Sequence, residues 1–277
     1  RITMAVCSNQ LVLNYHDAML YSSDITLLEY PSSWINDSCI HFYLTFLQQQ
    51  YPSSRVKFID PSVITFLMHQ CDEEDLRDFS NGFDKASNNS IYILPINDGH
   101  ASSSTFWKVP GGGSHWSLLV VLLKRKSCTN DEDDQSNNEK KVQFLHFDSV
   151  TRSNIDTARQ VSMTFSRILF LDDDEAASPT VMDVMMPQQK NGYDCGVYTL
   201  IFAEVIIEIF SLIEDSESPP PPVDQIIADQ ITPKIEKNTH YAKEMRQKVL
   251  DTAISLIKNK NNIRSQSSNE EKTRNRS

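Results

Sequence analysis

Apolar residues in this chain follow two rhythms, short continuous runs and longer stretches at helical spacing. IYILPIN at 91–97, WSLLVVLL at 116–123 and VQFLHFD at 142–148 are apolar on both alternating faces and predict buried strands. VKFI at 56–59 and TVMDVMM at 180–186 read as shorter strands. Helical spacing begins at Ser38, where Ile40, Phe42, Tyr43, Leu44, Phe46 and Leu47 leave little polar surface and predict a buried core helix. Asn36 or Asp37 stands where it can cap that helix. Pro61 opens another at its tolerated first-turn position, 62–70, and DEEDLRDFS at 72–80 adds a short acid-started one. Residues 154–169 place Ile155, Ala158, Val161, Phe165, Ile168 and Leu169 on one side. The most apolar helix spans 196–212, and helical patterns follow at 223–231 and 242–258.

Between these elements lie an N-terminal extension (1–10), an irregular arm (11–37) and a flexible Ser- and Gly-rich loop (97–114). An acidic surface insertion (127–141), a stiff SESPPPP connection (216–222) and a disordered polar tail (259–277) complete the chain. The pattern predicts an α+β domain over 11–258, with a central mixed or antiparallel sheet flanked by helices.

Charge and cysteine usage narrow the class. The formal charge of −11 argues against non-specific nucleic-acid binding, which rests on Lys and Arg neutralising phosphates. It suits a basic peptide or protein partner, although a solvated acidic surface is the blander explanation. The five cysteines are dispersed, without CxxC pairs or zinc-ligand spacing, which fits a reducing compartment and no metal. Cytosolic or nuclear residence is expected. No run of about 18 apolar residues is read, so no transmembrane helix is expected. RITMAVCSNQ lacks the basic and long apolar regions of a signal peptide, and Arg1 preceding the first methionine fits a fragment or an upstream extension.

The candidate chemistry gathers at QQKNGYDCGVY, residues 188–198. Cys195 opens the apolar helix, where backbone N–H groups and the helix dipole favour thiolate. A cysteine nucleophile needs an imidazole, a group to orient it and an oxyanion donor. His115 precedes the strand 116–123, and Asp148 ends the next strand. If those strands are antiparallel neighbours, the two residues meet, and Asp148 fixes the imidazole through the nitrogen facing away from sulfur. Gln189, on the approach loop, can aim its amide at an oxyanion beside the Cys195 N–H. Singly, each has a bland reading: loop histidine, turn aspartate, buried thiol, loop glutamine.

GGGSHWSLLV, FLHFDSVTRSN, PQQKNGYDCGVY and the earlier SWIND together resemble the ubiquitin-like-protein-specific cysteine proteases, the sentrin/SUMO protease group. The resemblance covers 11–258 and is nearest to the deneddylase branch, which removes the NEDD/Rub modifier. It implies a papain-like fold whose His-Asp-Gln-Cys order is a circular rearrangement of the papain order. Cys195 would be nucleophile, His115 base and later acid, Asp148 orienter and Gln189 oxyanion donor. Trp34 and Trp116 would form a narrow tunnel over a C-terminal Gly-Gly, where only glycine lets a backbone pass. Asp37 could pair with a basic residue of the modifier tail or simply cap its helix. No cofactor is implied, the partner is the modifier with its conjugates, and a monomer is the base expectation. A SUMO-directed protease, a binding module without cleavage and an acetyltransferase on the same scaffold stay open.

Overall fold

The computed structural model describes residues 9–52, 55–82, 90–105, 108, 112–124, 141–170, 179–214, 223–239 and 242–274. Most of the expected N-terminal extension and acidic insertion, and the whole SESPPPP connection, lie outside the described residues.

Where an irregular arm is expected, the chain forms a hairpin, β1 (Leu11–Tyr15) and β2 (Ala18–Tyr21), followed by helix α1 (Ser22–Glu29). The turn residues His16 and Asp17 both have positive φ, 47° and 67°, the geometry that matches the twist of paired strands. Asn14 Oδ1 accepts from the Asp17 N–H at 3.1 Å and holds the turn. The usual Asn-Gly signal is absent, which is why the sequence pattern does not announce it.

Helix α2 (Asp37–Gln50) is capped by Asn36, whose side-chain oxygen accepts from the Cys39 N–H at 3.1 Å. Of the two capping candidates, it is therefore Asn36 that caps, and Asp37 is the first helical residue. Strand β3 (Val56–Phe58), helix α3 (Pro61–His69) and helix α4 (Glu73–Gly82) follow, with Asp60 capping α3 ahead of its opening proline.

The central sheet runs β3-β4-β5-β6-β7, with β4 (Ser90–Asn97), β5 (Trp116–Lys124), β6 (Lys141–Phe147) and β7 (Val181–Val184). It is mixed: β3 and β7 pair parallel to their neighbours, and β4, β5 and β6 pair antiparallel. The apolar runs are continuous because both faces are covered. Ile93, Leu118, Val120 and Phe147 face α2 and α6 (Cys195–Glu214). Tyr92, Leu94, Leu119 and Val121 face α3, α4 and α5 (Ile155–Leu169).

Helix α6 is the centre of the first layer. Its window Cys195–Leu212 is long and apolar enough to cross a membrane by length and composition, with a mean hydropathy of 1.9. It is not a continuous apolar run, because Glu204 and Glu208 interrupt it. The helix lies in the core, with 78% of the window buried inside the protein. Leu200, Phe202, Val205, Ile206 and Ile207 are fully enclosed, each contributing about 1.5–3 kcal/mol of transfer free energy.

Beyond it come α7 (Val223–Ile226), a π-helical turn (Ile227–Ile231) and α8 (Thr232–Thr239), the last not foreseen as a separate helix. Helix α9 (Ala242–Arg274) packs Met245, Val249, Leu250 and Ala253 into the same core. Its backbone continues through most of the tail expected to be disordered. Residues 259–274 contain no Gly or Pro, and extending an anchored helix fixes one residue per hydrogen bond.

Candidate active site

Strand pairing decides the site. With Leu118 opposite Phe147 in antiparallel register, the residue that enters β5 and the residue that leaves β6 share one sheet end. His115 Nε2 donates to Asp148 Oδ1 at 2.6 Å there. The imidazole is also hydrogen-bonded to Cys195, so its remaining nitrogen, Nδ1, faces the sulfur. Cys195 is the first residue of α6, 3% exposed and free.

Burial would lower the His115 pKa, but its hydrogen bonds to Asp148 and Cys195 and their charges outweigh it, raising the group to about 9. An imidazolium braced between a carboxylate and the Cys195 sulfur carries a proton ready to be given to a leaving group.

Asp148 is also a turn residue, so its bland and chemical readings hold together. Its Oδ1 accepts from the Val150 N–H at 2.9 Å and its Oδ2 from the Asn154 N–H at 3.1 Å. Asn154 in turn donates to Ser117 Oγ at 3.0 Å, and Ser117 meets His146 Nε2 at 3.0 Å. This buried polar chain seats the carboxylate from below.

Gln189 is held rather than loose. Its Nε2 donates to the Asn191 carbonyl at 2.7 Å and its Oε1 accepts from Ser149 Oγ at 2.7 Å. An amide has two N–H donors, so the Asn191 bond uses one of them. Asn191 Oδ1 accepts from the N–H groups of Tyr193 and Asp194, an Asx turn that leads the chain into α6.

A cleft of about 750 Å³ opens beside Cys195, with Trp34, Trp116, Gly99, Gly113 and Asp37 on its walls. Trp34 is 51% exposed, not a core aromatic, and its indole N–H donates to the Gly192 carbonyl at 2.7 Å. Trp116 lies edge-on to His100, ring centroids 6.1 Å apart. Burial, then the nearby His69, pull the His100 pKa down to about 3. The neutral ring accepts the Asn97 N–H at 3.1 Å. Asp37 accepts the Ser38 N–H at 3.0 Å, and burial with nearby Asp60 and Asp24 raises its pKa.

Asp98, Gly113 and Gly196 do not stand out in the sequence. Asp98 Oδ1 accepts from the N–H groups of Ser114 at 2.6 Å and His115 at 3.2 Å, fixing the histidine's backbone. Both ends of the loop expected to be flexible are thus joined. Gly113 allows it, since at φ 92° a Cβ would lie 1.6 Å from Asn97 Oδ1. Gly196 is needed for contact, because a Cβ there would lie 2.5 Å from Ile35 Cγ1. Neither partner of Asp98 is near it in sequence, and only loop closure reveals the pairing. Among the described residues no group of three or more His, Cys, Asp or Glu side chains could hold a metal ion.

Residues 33–249 match the Ulp1 protease family, C-terminal catalytic domain. The chain belongs to this family. Relatives of the Ulp1 family include NEDD8-specific protease 1 of Arabidopsis thaliana, 34% identical over 200 residues, covering 72% of this chain and 76% of that protein. Sentrin-specific protease 8 of Homo sapiens is 32% identical over 203 residues, covering 72% of this chain and 82% of its own. In fold, the chain resembles a solved de-sumoylating protease, with a TM-score of 0.57 at 16% identity over 90% of this chain and 91% of that one. It also resembles the C-terminal Ulp1 protease domain solved in complex with Smt3, the yeast ortholog of SUMO, with a TM-score of 0.52 at 16% identity over 91% and 90%. The chain is thus a Ulp1-family cysteine peptidase with the family's α+β fold.

Proposed function

We propose that this peptidase hydrolyses the bond after the C-terminal Gly-Gly of a NEDD/Rub-type modifier, releasing it from conjugates or from its precursor. The observation that carries the chemistry is the His115 imidazole hydrogen-bonded on one side to Asp148 and on the other to Cys195. The modifier is favoured because the Arabidopsis thaliana relative is named NEDD8-specific.

In this reading the Cys195 sulfur attacks the glycine carbonyl, with its proton on His115. The carbonyl π electrons move to oxygen, which the Gln189 side-chain N–H and the Cys195 backbone N–H receive. As the tetrahedral intermediate collapses, the C–N bond breaks and His115 gives its proton to the leaving amine. That amine is a lysine ε-amine in deconjugation or a peptide amine in precursor processing. Water then attacks the thioester, His115 takes its proton, and the thiol leaves. Asp148 keeps the ring oriented throughout. Trp34 and Trp116 on the cleft wall would flank the glycine-ended tail, whose lack of side chains lets its backbone lie close to the indoles, and Asp37 offers its wall carboxylate to a basic tail residue.

A panel of ubiquitin-like modifiers carrying C-terminal electrophiles tests the assignment. The NEDD/Rub probe should label Cys195 fastest, and Cys195→Ala should bind the modifier without cleaving it. Preference for the SUMO probe would move the assignment to a SUMO protease, and undiminished cleavage by Cys195→Ala would sink the mechanism.

A further inference from the structure

Arg246 sits on α9, and it is 4% exposed. A guanidinium this dry stays charged, so its burial is tolerated only with partners on its donors. Nη1 donates to the Leu27 carbonyl at 3.0 Å, while Nη2 donates to the Ser33 carbonyl at 2.8 Å and to Asp194 Oδ1 at 3.1 Å. Each acceptor stands where the chain is about to enter the site. Leu27 lies in the last turn of α1, Ser33 directly precedes Trp34, and Asp194 directly precedes Cys195.

Asp194 passes the constraint onward. Its Oδ2 accepts from Asn191 Nδ2 at 2.8 Å, and the Asn191 carbonyl holds the Gln189 amide at 2.7 Å. Trp34 closes the circuit by donating to Gly192, inside the same loop. One buried cation on the C-terminal helix therefore ties the aromatic wall of the cleft to the segment that carries Gln189 and delivers Cys195.

We propose that Arg246 is a positioning residue for the hydrolysis. Through Asp194 it sets loop 189–194, and through Ser33 it sets the Trp34 indole. It touches neither the substrate nor the reacting atoms. The proposal rests on the roles given above to Cys195, Gln189 and Trp34. Lysine cannot replace it, because a point charge on a flexible stem lacks the planar fork that reaches all three acceptors. The alternative is plain stabilisation, in which the ion pair matters only because breaking it strands a buried charge.

Hydrolysis of a ubiquitin-like modifier carrying a C-terminal fluorogenic amide, per titrated active site, separates the two. Asp194→Asn releases the loop but keeps the Ser33 bond, so kcat should fall about tenfold or more with KM within about twofold of wild type. Arg246→Lys releases both arms, so the same kcat loss should come with a KM raised about fivefold. The double variant Asp194→Asn with Arg246→Met strands no charge, and should melt near wild type yet keep the kcat loss. The proposal is overturned if both single variants keep kcat within about twofold of wild type, or if the double variant recovers kcat along with stability. A wild-type protein that turns over none of the modifiers would defeat the proposed function instead. Iodoacetamide labelling of Cys195, read by mass spectrometry, then decides the inference: faster labelling in Arg246→Lys supports it, and an unchanged rate refutes it.

Discussion

The indole N–H of Trp34 donates to the Gly192 carbonyl at 2.7 Å, joining two segments that meet only in the folded chain. A half-exposed tryptophan held this way is a rigid wall that costs little further ordering when a substrate arrives. Trp34→Phe keeps most of the ring and loses the hydrogen bond, a net loss of about 1 kcal/mol. KM should therefore rise about fivefold with kcat nearly unchanged, and Trp34→Ala should raise it further. Steady-state kinetics on a modifier with a fluorogenic C-terminus measures both.

The pH dependence follows from His115. Its folded pKa is raised to about 9 from the ordinary 6.5. A raised histidine contributes stability that is fully present below about 6.5 and lost as pH rises through about 9. Above that point the ring also has no proton for the leaving amine, so kcat/KM should decline with an alkaline limb near 9. Asp148→Asn removes a main cause of the upward shift. The limb should move to lower pH, and kcat should drop by about 10²–10⁴. An alkaline limb unmoved by that substitution would show that Asp148 does not set the imidazole's proton.

Gln189→Ala should lower kcat by about 10²–10³ while leaving KM near wild type, the signature of a donor used in the transition state. Ser149 holds the carbonyl end of the same amide at 2.7 Å. Ser149→Ala should therefore show a smaller loss in the same parameter. A Gln189→Ala variant with wild-type kcat would remove the residue from the oxyanion site.

Gly196→Ala tests how closely α6 must approach the segment that carries Trp34. The new methyl would meet the Ile35 side chain at 2.5 Å, and neither side can yield freely, since Ile35 is 2% exposed. The substitution should cost about 1–3 kcal/mol in thermal unfolding, with activity falling alongside as the first turn of α6 is displaced. Gly192→Ala is the control, because nothing lies within 4 Å of the Cβ it would add.

Much of this was visible in the linear chain. Continuous apolar runs mark strands covered on both faces, and the dense helix 196–212 announces the core element that carries Cys195. The meeting of His115 and Asp148 could be argued from strand order alone, because antiparallel neighbours must bring opposite ends together. The hairpin at β1 and β2 was not visible, since its His-Asp turn reaches positive φ without glycine. The helical course of 259–274 was hidden by polarity, because a helix that extends from an anchored one needs no apolar face of its own.

What the sequence determined by itself is therefore the kind of element at each position and the set of reactive groups, because hydrophobic period and residue chemistry are local properties. Only the tertiary structure decided that Asp98 fastens the His115 backbone, that Trp34 stands out of the core, and that Arg246 reaches Asp194. Those pairings join residues far apart in the chain, and a hydrogen bond leaves no period in a sequence. It exists once packing has brought a donor within about 3 Å of an acceptor and removed the water that would otherwise have satisfied both.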